Sequence, residues 1–245
     1  MATYQPEAPN LAPAGQPDLN HGAFGIDDNV SAGATAFKAH SVGTMKAAEA
    51  VDYLRKNPDP TVTRAAHLAN IERRTERVVA EFERSYKVAR QELEASLADA
   101  TRKLAGKLSV RETAYASEVR RVLLAMPAEE RLATVRKAFN DGDMNVIGAI
   151  YGGDAPAILT GVDRSVSDPL YNQFKLKTAP AEMAAIKQHQ RYLSFADMQH
   201  KAMLNWEVKA TAGTGGHAAA AAKRKSLLAS YEPTGFQNDP EPEAE

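Results

Sequence analysis

The sequence predicts an all-α protein. Three observations predict it. No segment alternates apolar and polar residues as a strand would, apolar residues recur at helical spacing through most of positions 43–210, and the stretch from Pro60 to Lys107 contains no further proline and no glycine before Gly106. The expected architecture is an elongated helical bundle built on one helix of roughly 45 residues, with extended arms at both ends.

Residues 1–42 carry Pro6, Pro9, Pro13 and Pro17, then Gly15, Gly22, Gly25 and Gly33, without helical or strand period, and are expected to form an extended arm. A short amphipathic helix is expected from about Gly43 to Lys56, with Ala47, Val51 and Leu54 on one face, ended by Asn57–Pro60. Pro60 suits the first turn of the long helix, expected over 60–107 and on the order of 70 Å in length.

The apolar residues of that helix stand in columns. Ile71, Phe82, Leu93 and Leu104 form one, Thr75, Tyr86, Leu97 and Leu108 a second, and Val78, Ala89 and Ala100 a third, each spaced by eleven residues. An eleven-residue spacing corresponds to about 3.67 residues per turn, so the seam runs nearly straight and fits a long, nearly parallel partner. We expect it to be an interface shared, wholly or partly, with another copy or another protein; packing along later helices of the same chain is the competing arrangement. Glu83 with Lys87, and Asp99 with Lys103, stand in the favourable i,i+4 order on the outer face.

Ser109 and Glu112 have capping-box spacing, which predicts a helix from there to about Ala125 with Val119, Val122, Leu123 and Met126 inward. Pro127 opens the next, with Glu129 and Glu130 at its positive end and Leu132, Val135 and Phe139 as core. Asn140–Asp143 closes it. Short helices are expected over Met144–Tyr151, from Ala155 to about Thr160, and around Pro169–Lys177. A long one follows from Pro180 to Ala210, using Met183, Ile186, Leu193, Ala196 and Leu204, with Trp206 as an anchor in a core or interface. The run TAGTGG then breaks the chain, an alanine- and lysine-rich helix follows, and the end is acidic. In domain terms this is an arm over 1–42, a helical domain over 43–211 and a flexible tail over 212–245.

Lys and Arg total 30 against 31 Asp and Glu, so overall charge selects neither nucleic acid nor membrane as partner. The distribution says more. Residues 61–126 carry thirteen basic and nine acidic groups, whereas residues 232–245 carry five acidic and none basic. No cysteine is present, which excludes disulfides, thiolate nucleophiles and cysteine-ligated zinc. The first twenty residues lack a basic and apolar leader pattern, and no apolar run is long enough to span a bilayer, so the expected location is the cytoplasm of the producing cell.

No catalytic, cofactor or metal site is expected, and the chain is not expected to be an enzyme. Asp141–Asn145 alternates oxygen ligands as a calcium loop does, but Val146 and Gly152 occupy the places where such a loop needs Gly and Glu. A helix stop followed by an N-cap at Asp143 explains the same residues. The glycines before Lys223 lack the Gly-Lys-Ser/Thr ending of a phosphate loop. Asp197 and His200 are spaced as half of a di-metal site, without the second half, and His189 and His200 lie about 16 Å apart along a helix. Lys223, Arg224 and Lys225 are candidates for contact with nucleic-acid phosphates or an acidic partner, with a solvated helix end as the plainer explanation.

The segment AFNDGDMNVIGAIYGGDAPAILTGVD, Ala138–Asp163, joins a helix end, a Gly-Asp step, a short apolar helix and an Ala-Pro and Leu-x-Gly turn. Over that segment the chain resembles uncharacterised helical proteins encoded in phage and prophage gene clusters. With the long seam and the two arms, the resemblance implies a non-enzymatic structural subunit of a phage particle, inside the head or at the head-to-tail junction, which moves from cytoplasm to virion. Its partners would be further copies of itself or other particle proteins. The alternative is a soluble coiled-coil adaptor or regulator that binds a cellular protein or nucleic acid through the basic side of the long helix.

Overall fold

A computed structural model describes residue 14 and residues 32–153 and 159–230, without the side chains of 32–34, 36 and 230. The described residues are all-α: α1 (Ala32–Lys56), α2 (Arg64–Leu108), α3 (Ala116–Ala125), α4 (Ala128–Asp141), α5 (Met144–Tyr151), α6 (Arg164–Thr178), α7 (Pro180–Ala210) and α8 (His217–Ser230). The helix expected over residues 155–160 lies largely outside the described residues, as does most of the N-terminal arm.

Four boundaries depart from expectation. Helix α2 begins at Arg64, where the Thr63 hydroxyl accepts from the Ala66 N–H at 3.3 Å, so Pro60 stands in the preceding turn and not in the first turn of the helix. Helix α1 begins at Ala32, not Gly43. Residues 32–42 are rich in alanine, and they bring Phe37 inward against Phe82 at 5.6 Å between ring centres. Packing outweighs the helix-breaking tendency of Gly43, whose missing Cβ would meet nothing within 4 Å. Helix α3 begins at Ala116, so the expected capping box at Ser109 does not form. Ser109 instead takes a positive φ of 50° just past the end of α2, and its hydroxyl donates to the Gly106 carbonyl at 2.8 Å. Helix α6 begins at Arg164, where the Asp163 carboxylate accepts from the Ser165 N–H at 2.8 Å, and Pro169 lies inside it. Val122, expected inward, is 46% exposed, because the inward row of α3 is Ala116, Val119 and Leu123.

The chain divides into two compact units, one drawn from Met1–Leu93 and Arg191–Glu245, the other from Glu94–Gln190. In the first unit, α1, α2 and α7 share one core that includes Phe37, Val51, Ile71, Phe82, Met203 and Trp206. Arg55 is 2% exposed there, and its guanidinium donates to the carbonyls of Ala210 and Ala212, at 2.5 and 3.2 Å. A cation at that position satisfies carbonyls left over at the C-terminus of α7.

In the second unit, Leu104 and Leu108 of α2 pack with Leu123, Val135, Phe139, Ile147 and Phe174. Within Ala138–Asp163, the described residues pack closely. Gly142 ends α4 in the left-handed region at φ 72°, and Asp143 caps α5 by accepting from the Asn145 N–H. Gly148 and Gly152 make room for the backbone of Arg111 and Glu112. A Cβ on either glycine would lie 2.4 Å from those backbone atoms, and the Glu112 N–H donates to the Gly152 carbonyl at 3.0 Å. Arg131 closes the end of α3, donating to the carbonyls of Leu123, Leu124, Met126 and Gly161 at 2.7, 3.2, 2.8 and 2.6 Å.

Gly148→Ala is therefore expected to lower unfolding free energy by about 1–3 kcal/mol, since the clash is with backbone that has no rotamer to yield. Gly43→Ala, with open space around it, is expected to stabilise by a few tenths up to about 1 kcal/mol. Urea denaturation followed by circular dichroism reads both, and equal effects at the two sites would contradict the packing described.

Candidate functional site

The seam residues of α2 turn inward onto this chain. Ile71, Thr75 and Phe82 are 0% exposed, and Val78, Tyr86, Ala89, Leu93, Ala100, Leu104 and Leu108 are all buried; Leu97 is half-buried. Ile71, Val78, Phe82, Tyr86 and Ala89 belong to the core shared with α1 and α7, and Leu104 and Leu108 to the core of the second unit. These side chains thus take the competing arrangement, packing along helices of the same chain. The physical reason is that α1 and α7 already supply the long apolar partner that the spacing calls for.

Along the same side of the first unit, charged groups from α2, α7 and α8 converge. Glu83 on α2 lies 2.8 Å from the Lys223 Nζ of α8 and 3.9 Å from the His200 Nε2 of α7. Lys223 also donates to both carboxylate oxygens of Glu207 on α7, at 3.3 and 3.2 Å. One turn further on, the Tyr86 hydroxyl donates to Asp197 Oδ1 at 2.6 Å. Arg90 Nη1 donates to the same two oxygens, at 2.8 Å each. The His200 ring stacks on Tyr86 with centres 4.2 Å apart. Deeper still, the buried Ser41 hydroxyl of α1 lies 2.9 Å from Gln199 Oε1.

The electrostatics follow from this placement. His200 and Lys223 hold the Glu83 carboxyl down to about 2, against the desolvation that would raise it. The His200 separation is an ion-pair distance and exceeds a hydrogen bond, so its attraction needs a protonated ring, whereas the closer Lys223 acts throughout the neutral range. Burial pushes Glu207 the other way, up from its ordinary value, with Lys223 opposing the shift. Burial also works to lower Lys223, but the two carboxylates overcome it and hold its ammonium charged.

Of the expected contact residues, Lys223 is therefore committed to carboxylates within its own chain, and Arg224 donates to Asn205 Oδ1 at 2.5 Å. Lys225 alone of the three is exposed. Lys223 and Arg224 thus fasten α8 to α2 and α7. The apolar contribution of α8 is small, with only Ala220 buried among its described side chains. Asp197 and His200, the spaced pair noted in the sequence, both meet Tyr86, Asp197 by accepting its hydroxyl and His200 by stacking on its ring. Among the described residues no group of three His, Cys, Asp or Glu side chains is placed to hold a metal ion. No helix among them is long and apolar enough to cross a membrane.

The residues not foreseen are Glu83, Arg90 and Glu207. A usable signal existed for Glu207. It lies on the inward row of α7 with Tyr192, Ala196, Gln199, Met203 and Ala210, and a carboxylate on a buried row demands a cation. Nothing in the linear order named Lys223 as that cation. Chemically, the arrangement pairs carboxylates with cations of the same chain and ties three helices together. Comparison of the chain with family models, with curated proteins and with solved structures finds no match.

Two consequences are measurable. Lys223→Met leaves Glu83 and Glu207 facing each other without their shared cation. It is expected to cost about 1–3 kcal/mol, the range between an exposed and a fully buried pair, and to raise amide exchange across α8 before α2 or α7. Glu83, whose pKa is depressed, contributes stability that is complete above the ordinary carboxylate value of 4.5 and is lost as pH falls toward about 2. Glu83→Gln should accordingly flatten the stability profile in that window, and an unchanged acid limb would show that Glu83 is not held by its neighbours.

Proposed function

We propose that the chain is a non-enzymatic structural subunit of a phage particle, placed inside the head or at the head-to-tail junction, with α2 as the spine of a helical bundle. The observation that carries this reading is how the converging charged groups are used. Arg55 and Arg131 saturate backbone carbonyls, Lys223 joins two carboxylates, and Arg90 closes on Tyr86 and Asp197. Each ties one element to another and so builds a scaffold. The Ala138–Asp163 resemblance supports the phage setting.

Since the apolar row of α2 is occupied within the chain, contacts with neighbours fall to other surfaces. The terminal segments 1–31 and 231–245 are suited by composition, the first rich in proline and glycine and the second acidic. Val122, Leu124 and Leu159 add exposed apolar area. This reading expects a defined oligomer by light scattering at two protein concentrations, and a smaller mass with unchanged helicity after removal of residues 233–245. It also expects the chain in washed particles at a fixed ratio to the major particle proteins. A monomer at both concentrations, found only in the unassembled fraction of a lysate, would sink the proposal.

A further inference from the structure

Opposite its buried row, α2 presents a second stripe. At about 100° per residue, Arg73, Arg77, Arg84 and Lys87 fall within roughly 40° of one another's mean direction and span about 21 Å of helix axis. All four are exposed, and the other positions of this face between residues 66 and 91 hold exposed alanine or glutamine, such as Ala80 and Gln91. No carboxylate lies on the face. Glu76 and Glu81 stand on its flanks, and among the described residues no ion pair joins them to the four cations. Glu83, the i,i+4 partner expected for Lys87, is turned away to Lys223.

A merely solvated helix face interleaves charges of opposite sign, because like charges three or four residues apart destabilise a helix by about 0.2–0.5 kcal/mol per pair. Here Arg73–Arg77 and Arg84–Lys87 are such like-charged pairs, and the alanines between them let an extended partner approach the helix closely. We propose that this face of α2 binds the phosphate backbone of nucleic acid, without reading sequence. The stripe is made of side chains of α2 alone and is independent of the particle assignment.

The test is fluorescence anisotropy of a labelled duplex of arbitrary sequence with the full chain, repeated from 50 to 200 mM salt. Four phosphate contacts predict a slope of log K against log salt near −3.6, about a hundredfold loss over that range. Arg77→Ala with Arg84→Ala should make the slope shallower by about 2 and weaken binding at least tenfold at 50 mM salt, with helicity unchanged. Lys103→Ala, whose ammonium pairs with Asp99 at 2.8 Å on another side of the helix, should leave binding as it was. Absence of salt-dependent binding would overturn the proposal, as would an equal loss in the Lys103 variant. Polyglutamate binding with the same affinity and slope would also overturn it, by pointing to an acidic protein. Binding by a chain that fails to oligomerise would uphold this surface while sinking the particle subunit, and the converse result would do the reverse.

Discussion

The burial of one apolar row of α2 beneath α1 and α7 is the interaction on which the first unit depends. Ile71, Phe82 and Tyr86 on α2, Phe37 and Val51 on α1, and Met203 and Trp206 on α7 are all nearly or fully removed from solvent. Each large side chain buried this way contributes about 1.5–3 kcal/mol before chain entropy is counted. A helix as charged as α2 has little else to hold it in place, since exposed i,i+4 pairs such as Asp99 with Lys103 contribute only a few tenths of a kcal/mol each. Tertiary packing therefore decides where α2 lies, and its charges decide what its other faces do.

The polar groups at the edge of this core add selectivity to that packing. Apolar rows of alanine, leucine and valine tolerate sliding by a turn, whereas Glu83, Glu207 and Lys223 meet in only one register of α2, α7 and α8. The same holds for Tyr86 and Arg90 on Asp197, and for Ser41 on Gln199 across α1 and α7. Such groups add little net stability once desolvation is counted, but the mismatched registers leave carboxylates buried without a cation. In the second unit, glycines do comparable work by another route. Gly148 and Gly152 permit a backbone approach that no other residue allows there, which sets where the segment after α2 crosses α5.

Much of the fold was legible because the signals were local. The periodicity of α2 and α7, the N-cap at Asp143 and the proline opening of α4 each depend on residues close in sequence. What failed depended on distant residues. The early start of α1 rests on Phe37 meeting Phe82, and the loss of the Ser109 cap follows from Glu112 being drawn to Gly152 and to Arg120 at 2.6 Å. The destination of the eleven-residue seam was likewise not written in the seam. A straight apolar stripe specifies the geometry of its partner, and α1 and α7 of the same chain meet that geometry as well as another copy would. The Lys223 site was half legible, in the carboxylate of Glu207 on a buried row and in Lys223 as a cation suited to an acidic partner, while nothing local joined the two.

The most direct test of the account introduces a charge at the centre of the row, Phe82→Asp, and follows helicity, thermal unfolding and light-scattering mass together. If α2 is buried against its own chain, the variant loses a large part of its helical signal and its cooperative transition, because an unpaired carboxylate at a fully buried position costs more than the unit's margin of stability. Wild-type helicity and melting with only the oligomeric mass reduced would contradict the account and place the row between copies.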